Sequence, residues 1–159
     1  MRPLILSLAL LSAPAAATPD FDALAFFAGP TEGRGQLRVV MHHAQPLTVH
    51  GRGTIAPDGT LVLDQAVEQE GKPTRHRQWY IRATAPGHYA GTLTDAVGPI
   101  AGETIGDRLH LTFRMKGGLA VEQWLTLAPN GQSARNVMRV RKLGLVVARL
   151  DETIRRTGG

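Results

Sequence analysis

The chain has 159 residues, no cysteine, 18 basic against 13 acidic side chains and a formal charge of +5. Without cysteine there is no disulfide, no thiol nucleophile and no lipid attachment at a cysteine, so an exported domain of this kind relies on its core. Its cations are scattered singly and aromatics make up 5%, which argues against a nucleic-acid surface of clustered cations and stacking rings.

The start reads as a secretory signal peptide covering residues 1–17. Arg2 supplies the positive end, residues 4–11 the apolar run, and Ala15-Ala16-Ala17 a small-residue cleavage site before Thr18. The run is far shorter than the roughly 20 residues that span a bilayer. Cleavage near Ala17 implies a periplasmic or secreted protein. Arg2 is the one charged side chain it removes, so the formal charge falls from +5 to +4. Residues 18–159 are expected as a single β-barrel domain. At its beginning, residues 22–27 suit a short helix that packs Phe26 and Phe27 under one end of the barrel.

Beyond residue 34 the chain alternates. Residues 108–116 show it best, with Leu109, Leu111, Phe113 and Met115 on one face and Arg108, His110, Thr112, Arg114 and Lys116 on the other. Period 2 belongs to a strand, whereas a helix sorts side chains at 3.6. Turn signals recur at Pro57-Asp58-Gly59, Gly71-Lys72-Pro73, Pro86-Gly87, Gly106-Asp107, Gly117-Gly118 and Pro129-Asn130-Gly131. Their spacing suits strands of about eight to ten residues joined by tight hairpins. The expected fold is all-β, an antiparallel up-and-down meander of about nine or ten strands that closes into a barrel to hide its edges.

No Gly-x-Ser-x-Gly elbow, phosphate loop or His-Glu-x-x-His pair occurs, so no catalytic residue, cofactor or metal site is expected. The six histidines lack ligand spacing, and adjacent His42 and His43 point to opposite faces of a strand. More informative are polar residues in inward positions. Arg77 shares a face with Trp79 and Ile81. Asp95 shares one with Tyr89, Gly91, Leu93 and Val97. If Arg135, Arg139 and Arg141 point outward, then Asn136, Met138, Val140 and Lys142 point in. Arg77, Asp95, Asn136 and Lys142 thus form a candidate polar cluster in an apolar interior.

Burying an unpaired ammonium costs several kcal/mol, so Lys142 needs a partner. That partner is either Asp95 or the carboxylate or phosphate of a ligand. Trp79, Tyr89 and Trp124 serve as plain core or as the wall of a ligand site. The favoured reading is a monomeric carrier that holds a hydrophobic or amphiphilic small molecule, such as a fatty acid. It calls for a cavity on the order of several hundred Å³ with Arg77 and Lys142 at its polar end. Mild basicity adds peripheral contact with an anionic membrane surface. Two alternatives stand beside it. One is a lipid-modifying enzyme with Asp95 as base and Lys142 as electrostatic stabiliser. The other is a structural envelope module with a solid interior.

The same residues carry a family resemblance. Phe26-Phe27-Ala28-Gly29-Pro30 with Gly35, then Arg77-Gln78-Trp79, then Tyr89-Ala90-Gly91-Thr92 with Asp95, Val97-Gly98, Gly102 and Gly106, and finally Asn136, Lys142 and Gly144, resemble the motifs of the bacterial envelope family catalogued as domain of unknown function 3833. The resemblance runs from about residue 21 to 156. It implies a lipocalin-type (calycin) barrel without an established activity, and a lipid or fatty-acid ligand, since such genes often neighbour fatty-acid-modifying enzymes. Many relatives carry a lipoprotein cysteine that this chain lacks. Arg34, Gln123 and Val137 also stand where the family usually has Trp, an acidic residue and Arg. Gly91, Gly98, Gly102 and Gly106 have a physical reading besides, as relief of crowding where a strand bends.

Overall fold

The structure is a computed structural model that describes residues 18–158. The expected signal segment, residues 1–17, lies outside the described residues. One short helix, α1 (Ala23–Phe27), precedes ten strands. These are β1 (Gly29–Val39), β2 (Gln45–Ile55), β3 (Leu61–Gln69), β4 (Arg75–Ala85), β5 (His88–Leu93), β6 (Ile100–Ile105), β7 (Arg108–Met115), β8 (Leu119–Leu127), β9 (Ser133–Lys142) and β10 (Leu145–Arg156). Every strand pairs antiparallel with the next, and β1 pairs with β10, so the meander is a closed barrel without a free edge. In β7, Leu109, Leu111 and Phe113 are buried while Arg108, Thr112 and Arg114 are exposed, as the alternation requires.

Helix α1 closes one end. Asp22 caps it by accepting from the Ala25 N–H at 3.0 Å. Its five residues are too few to be stable alone, so packing holds them. Phe21, Phe26 and Phe27 pack in sequence, the first pair tilted and the second edge-to-face, with ring centroids 5.2 and 4.9 Å apart. The Phe21 N–H donates to Gly106 O at 2.8 Å, and Thr104 Oγ1 donates to Phe21 O at 2.7 Å. The hairpins β1–β2, β3–β4, β7–β8 and β9–β10 surround the opposite end, the mouth.

Two apolar clusters fill the interior. The larger holds the α1 aromatics, Leu61, Leu63, Trp79, Ile81 and the inward side chains of β5 to β9. The smaller holds Leu47, Val49, Val67 and Leu150, with Leu37 and Met138 packed against it. It sits toward the mouth on β1, β2, β3 and β10.

Two expectations fail locally. β5 ends at Leu93, and residues 94–99 form a turn fixed by Ala96 N–H donating to Leu93 O at 3.0 Å. Alternation therefore stops short of Asp95 and Val97, and Val97 is exposed. Trp124 lies on the outer wall, stacked on His110 at 4.0 Å with the Arg108 guanidinium 4.1 Å over its ring. Of the motif glycines, Gly98 and Gly106 serve turns, with φ of 83° and 59°, and do not bend strands.

Candidate functional site

A belt of polar side chains crosses the barrel interior. Arg77 on β4 donates from Nε to Gln65 Oε1 at 2.8 Å, and the Trp79 indole N–H donates to the same oxygen at 2.8 Å. Gln65 lies beside Arg77 in the β3–β4 register. Its one carbonyl orients both a guanidinium and an indole whose ring packs edge-on against Phe113 at 5.6 Å. On the opposite wall, Asn136 Nδ2 donates to Glu152 Oε1 at 3.0 Å, again between register partners. Glu152 fits because Gly33 on β1 offers no side chain; a Cβ there would stand 3.2 Å from Glu152 Oε2.

The belt is under-satisfied. Gln123 Oε1, Asn136 Oδ1 and Glu152 Oε2 are buried acceptors without a partner among the described residues, and Gln69 Nε2 is a donor in the same position. Each such group costs about 1–3 kcal/mol if left so. Burial pushes the Glu152 carboxyl above its ordinary range, although the Asn136 hydrogen bond and the Arg77 charge pull it back. Burial likewise lowers the Arg77 guanidinium, while Glu152 and Asp95 oppose that shift. An arginine stays protonated through such a shift.

Of the residues singled out by sequence, Arg77, Trp79 and Asn136 belong to this belt. Three others lie outside it. Lys142 occupies an inward register at the end of β9, but the strand ends there and its side chain is exposed at the rim. Asp95 is half-buried in the β5–β6 turn and makes no ion pair with Lys142 or Arg77 among the described residues. Tyr89 is buried, but its hydroxyl accepts from the Ala23 N–H at 3.3 Å, so it anchors α1 at the closed end. Gln65, Gln123 and Glu152 are functional candidates that sequence reading missed. Their signal was present: each interrupts an apolar inward row, as Glu152 does between Leu150 and Ile154.

Several clefts among the described residues open on the outer surface. One of them, about 790 Å³, is lined by the outward row Glu32–His50–Ala66–His76 and the outward row Pro30–Arg52–Asp64–Gln78. Between them runs the inward row Thr31–Gly51–Gln65–Arg77, which shows its backbone to this side. Among the described residues the polar belt holds one cation, Arg77, whose charge acts on one carboxyl, Glu152. No group of three or more His, Cys, Asp or Glu able to hold a metal occurs among the described residues.

No curated protein matches the chain. Three solved structures share its fold. A protein of unknown function from the DUF3598 family of Nostoc punctiforme PCC 73102 aligns with a TM-score of 0.65 at 13% identity, over 93% of this chain and 54% of the other. The chain thus spans about half the length of that protein. Rv2717c from M. tuberculosis aligns with a TM-score of 0.65 at 16% identity, over 86% and 96%. The S-type phycobiliprotein lyase CPES from Guillardia theta aligns with a TM-score of 0.64 at 6% identity, over 86% and 91%. At such identities the likeness is one of fold. The family model described as "Protein of unknown function (DUF3833)" matches residues 6–156, and the chain belongs to that family.

Proposed function

We propose that this protein is an exported small-molecule carrier that takes an amphiphile, a fatty acid or a close analogue, through the barrel mouth. The polar head meets Arg77, Glu152, Asn136 and Gln123; the apolar part lies against Leu47, Val49, Val67, Leu150 and Met138. One observation carries this reading. Three buried acceptors without a partner among the described residues and the Arg77 guanidinium sit between two apolar clusters, an arrangement that suits a head group able both to donate, as a protonated carboxyl or a hydroxyl does, and to accept from Arg77. Met138 and Leu37, half-buried at the smaller cluster, are the side chains whose movement makes room for the tail, and a thioether chain adapts readily.

This site is more selective than a pair of cations. A carboxylate accepts from Arg77 but is repelled by an ionised Glu152. A protonated Glu152 instead donates to it. Carboxylate binding therefore tightens as pH falls through the raised Glu152 value. Export rests on Arg2, residues 4–11 and the alanines before Thr18.

Mass spectrometry of lipid extracted from the purified protein, with titration of a fluorescent fatty acid, tests the proposal. Arg77→Gln is expected to weaken binding by roughly tenfold or more. Glu152→Gln is expected to tighten it at neutral pH and flatten its pH dependence. Lys142→Gln leaves affinity near the starting value. A protein that carries no lipid and binds no fatty acid overturns the proposal. A barrel of this shape also houses a lyase in G. theta, so fold alone does not separate carrier from enzyme.

A further inference from the structure

The hairpins β1–β2 and β9–β10 lie side by side at the mouth, because β1 pairs with β10 and the Val40 N–H donates to Val147 O at 3.0 Å. Each ends in a bare apolar tip. Met41 is 97% exposed and Leu143 94%, with Val40, Leu145 and Val146 exposed beside them. Both tip residues also adopt left-handed backbone, φ 65° at Met41 and 50° at Leu143. For a residue with a bulky side chain that conformation is unfavourable, and Asn or Gly is the usual occupant. Two large apolar side chains thus stand in water where neither hydration nor backbone favours them.

The charge behind them has one sign. Residues 36–46 and 137–149 contain no Asp or Glu, but do contain Arg38, Arg139, Arg141, Lys142 and Arg149. Arg139, Arg149 and Arg38 stand abreast in one outward row across β9, β10 and β1. Like charges directly opposite one another are destabilising. The two nearest acids are outnumbered: Asp151 bonds Arg135 at 2.6 Å while also feeling Arg149 and Arg38, and Glu122 bonds Arg141 at 3.1 Å while standing in register beside Arg139. The neighbouring β7–β8 hairpin adds Arg114 and Lys116 with no acid between residues 114 and 119, whereas the β3–β4 hairpin, which adjoins β1–β2 on the other side, balances Glu68 and Glu70 with Lys72 and Arg75. The apolar tips and an excess of cations therefore share one side of the rim.

We propose that this side of the mouth docks on an anionic lipid bilayer, with Met41 and Leu143 entering the acyl boundary and the Arg38–Arg149–Arg139 row meeting lipid phosphates. Apolar area inserted at the interface and cations within a Debye length of it add in such binding. Docking of this kind would set the barrel mouth against the membrane. It does not depend on what the interior holds.

The test is sedimentation of the purified protein with vesicles of phosphatidylcholine alone or mixed with phosphatidylglycerol. Binding is expected to the mixed vesicles, to fall with added salt, and to be weak on phosphatidylcholine alone. The double variant Met41→Asn, Leu143→Asn keeps residues suited to left-handed backbone, so it should fold as well as the parent. It is expected to lose roughly tenfold or more of the vesicle affinity, with fluorescent fatty-acid binding unchanged. Equal binding to both vesicles, no binding, or full binding by the double variant overturns the proposal. So does sedimentation velocity showing a dimer in the parent that the double variant loses, which would make a second copy the occupant of the tips.

Discussion

At the α1 end of the barrel the aromatic side chains are enclosed, with Ile55 and Ile105 exposed at its edge. Phe21, Phe26 and Phe27 pack under the strands, and Tyr89 and Thr104 tie the segment that carries them to the wall. At the mouth, Met41 and Leu143 are open to water, and the cluster beneath them has only four buried members. The difference shows how a closed meander divides its labour. One end is a plug whose loss would expose the core. The other tolerates exposure and irregular backbone, as functional rims do.

Removing part of the plug gives the largest expected effect. Phe26→Ala deletes a buried ring that touches two others, and should cost about 3–5 kcal/mol of stability in chemical denaturation. Loss below about 1 kcal/mol would mean that α1 is not part of the cooperative unit. A smaller effect is expected in the belt. Asn136→Ala removes the one hydrogen bond to the Glu152 carboxyl, and should cost about 1–3 kcal/mol at neutral pH. If Glu152 is as buried as its geometry indicates, that loss shrinks in acid, where the carboxyl is neutral. Thermal unfolding at two pH values decides it.

How much of this was legible in the sequence follows from the range of each signal. Alternation and turn residues act over two to five positions, so a closed meander of nine or ten strands, its order and the inward faces of β4, β7 and β9 could be read directly. Arg77 and Asn136 were found by that rule, and Glu152 obeys it equally. Lys142 and Asp95 mark where it ends. Asp95 was placed by extending a period past the last paired residue of β5, where nothing fixes which way a side chain points, and Lys142 is the last paired residue of β9, where an inward register opens onto the rim and the side chain reaches water. Whether the interior holds a chamber is a question of summed side-chain volume across ten strands, which no local pattern encodes.

Glu152→Gln probes the belt with the opposite sign. The folded state raises this carboxyl above its ordinary value of 4.5, so between the two values the folded chain holds a proton that the unfolded chain has lost. Stability contributed at this site therefore falls as pH rises from the ordinary value through the raised one, and is level above it. The lowered groups Glu32, Glu122 and Asp151 act the other way, losing their contribution as pH falls through their folded values, but they are common to both proteins. The stability of Glu152→Gln minus that of the parent should thus climb with pH, as denaturant titrations between about pH 4 and 8 would show. A flat difference would place the carboxyl in water.

The smallest expected effect sharpens the contrast most. Leu143→Asn changes a residue with no buried surface to lose, in a turn whose next residue, Gly144, also has positive φ, at 82°. Asn-Gly is the pair such a two-residue hairpin favours. The variant should therefore gain about 0.5–1 kcal/mol. A gain means that this position holds Leu at the expense of the fold, which gives the exposed side chain a role outside the barrel. A loss would show instead that Leu143 contributes to mouth packing, and the distinction between the two ends of the molecule would narrow at that point.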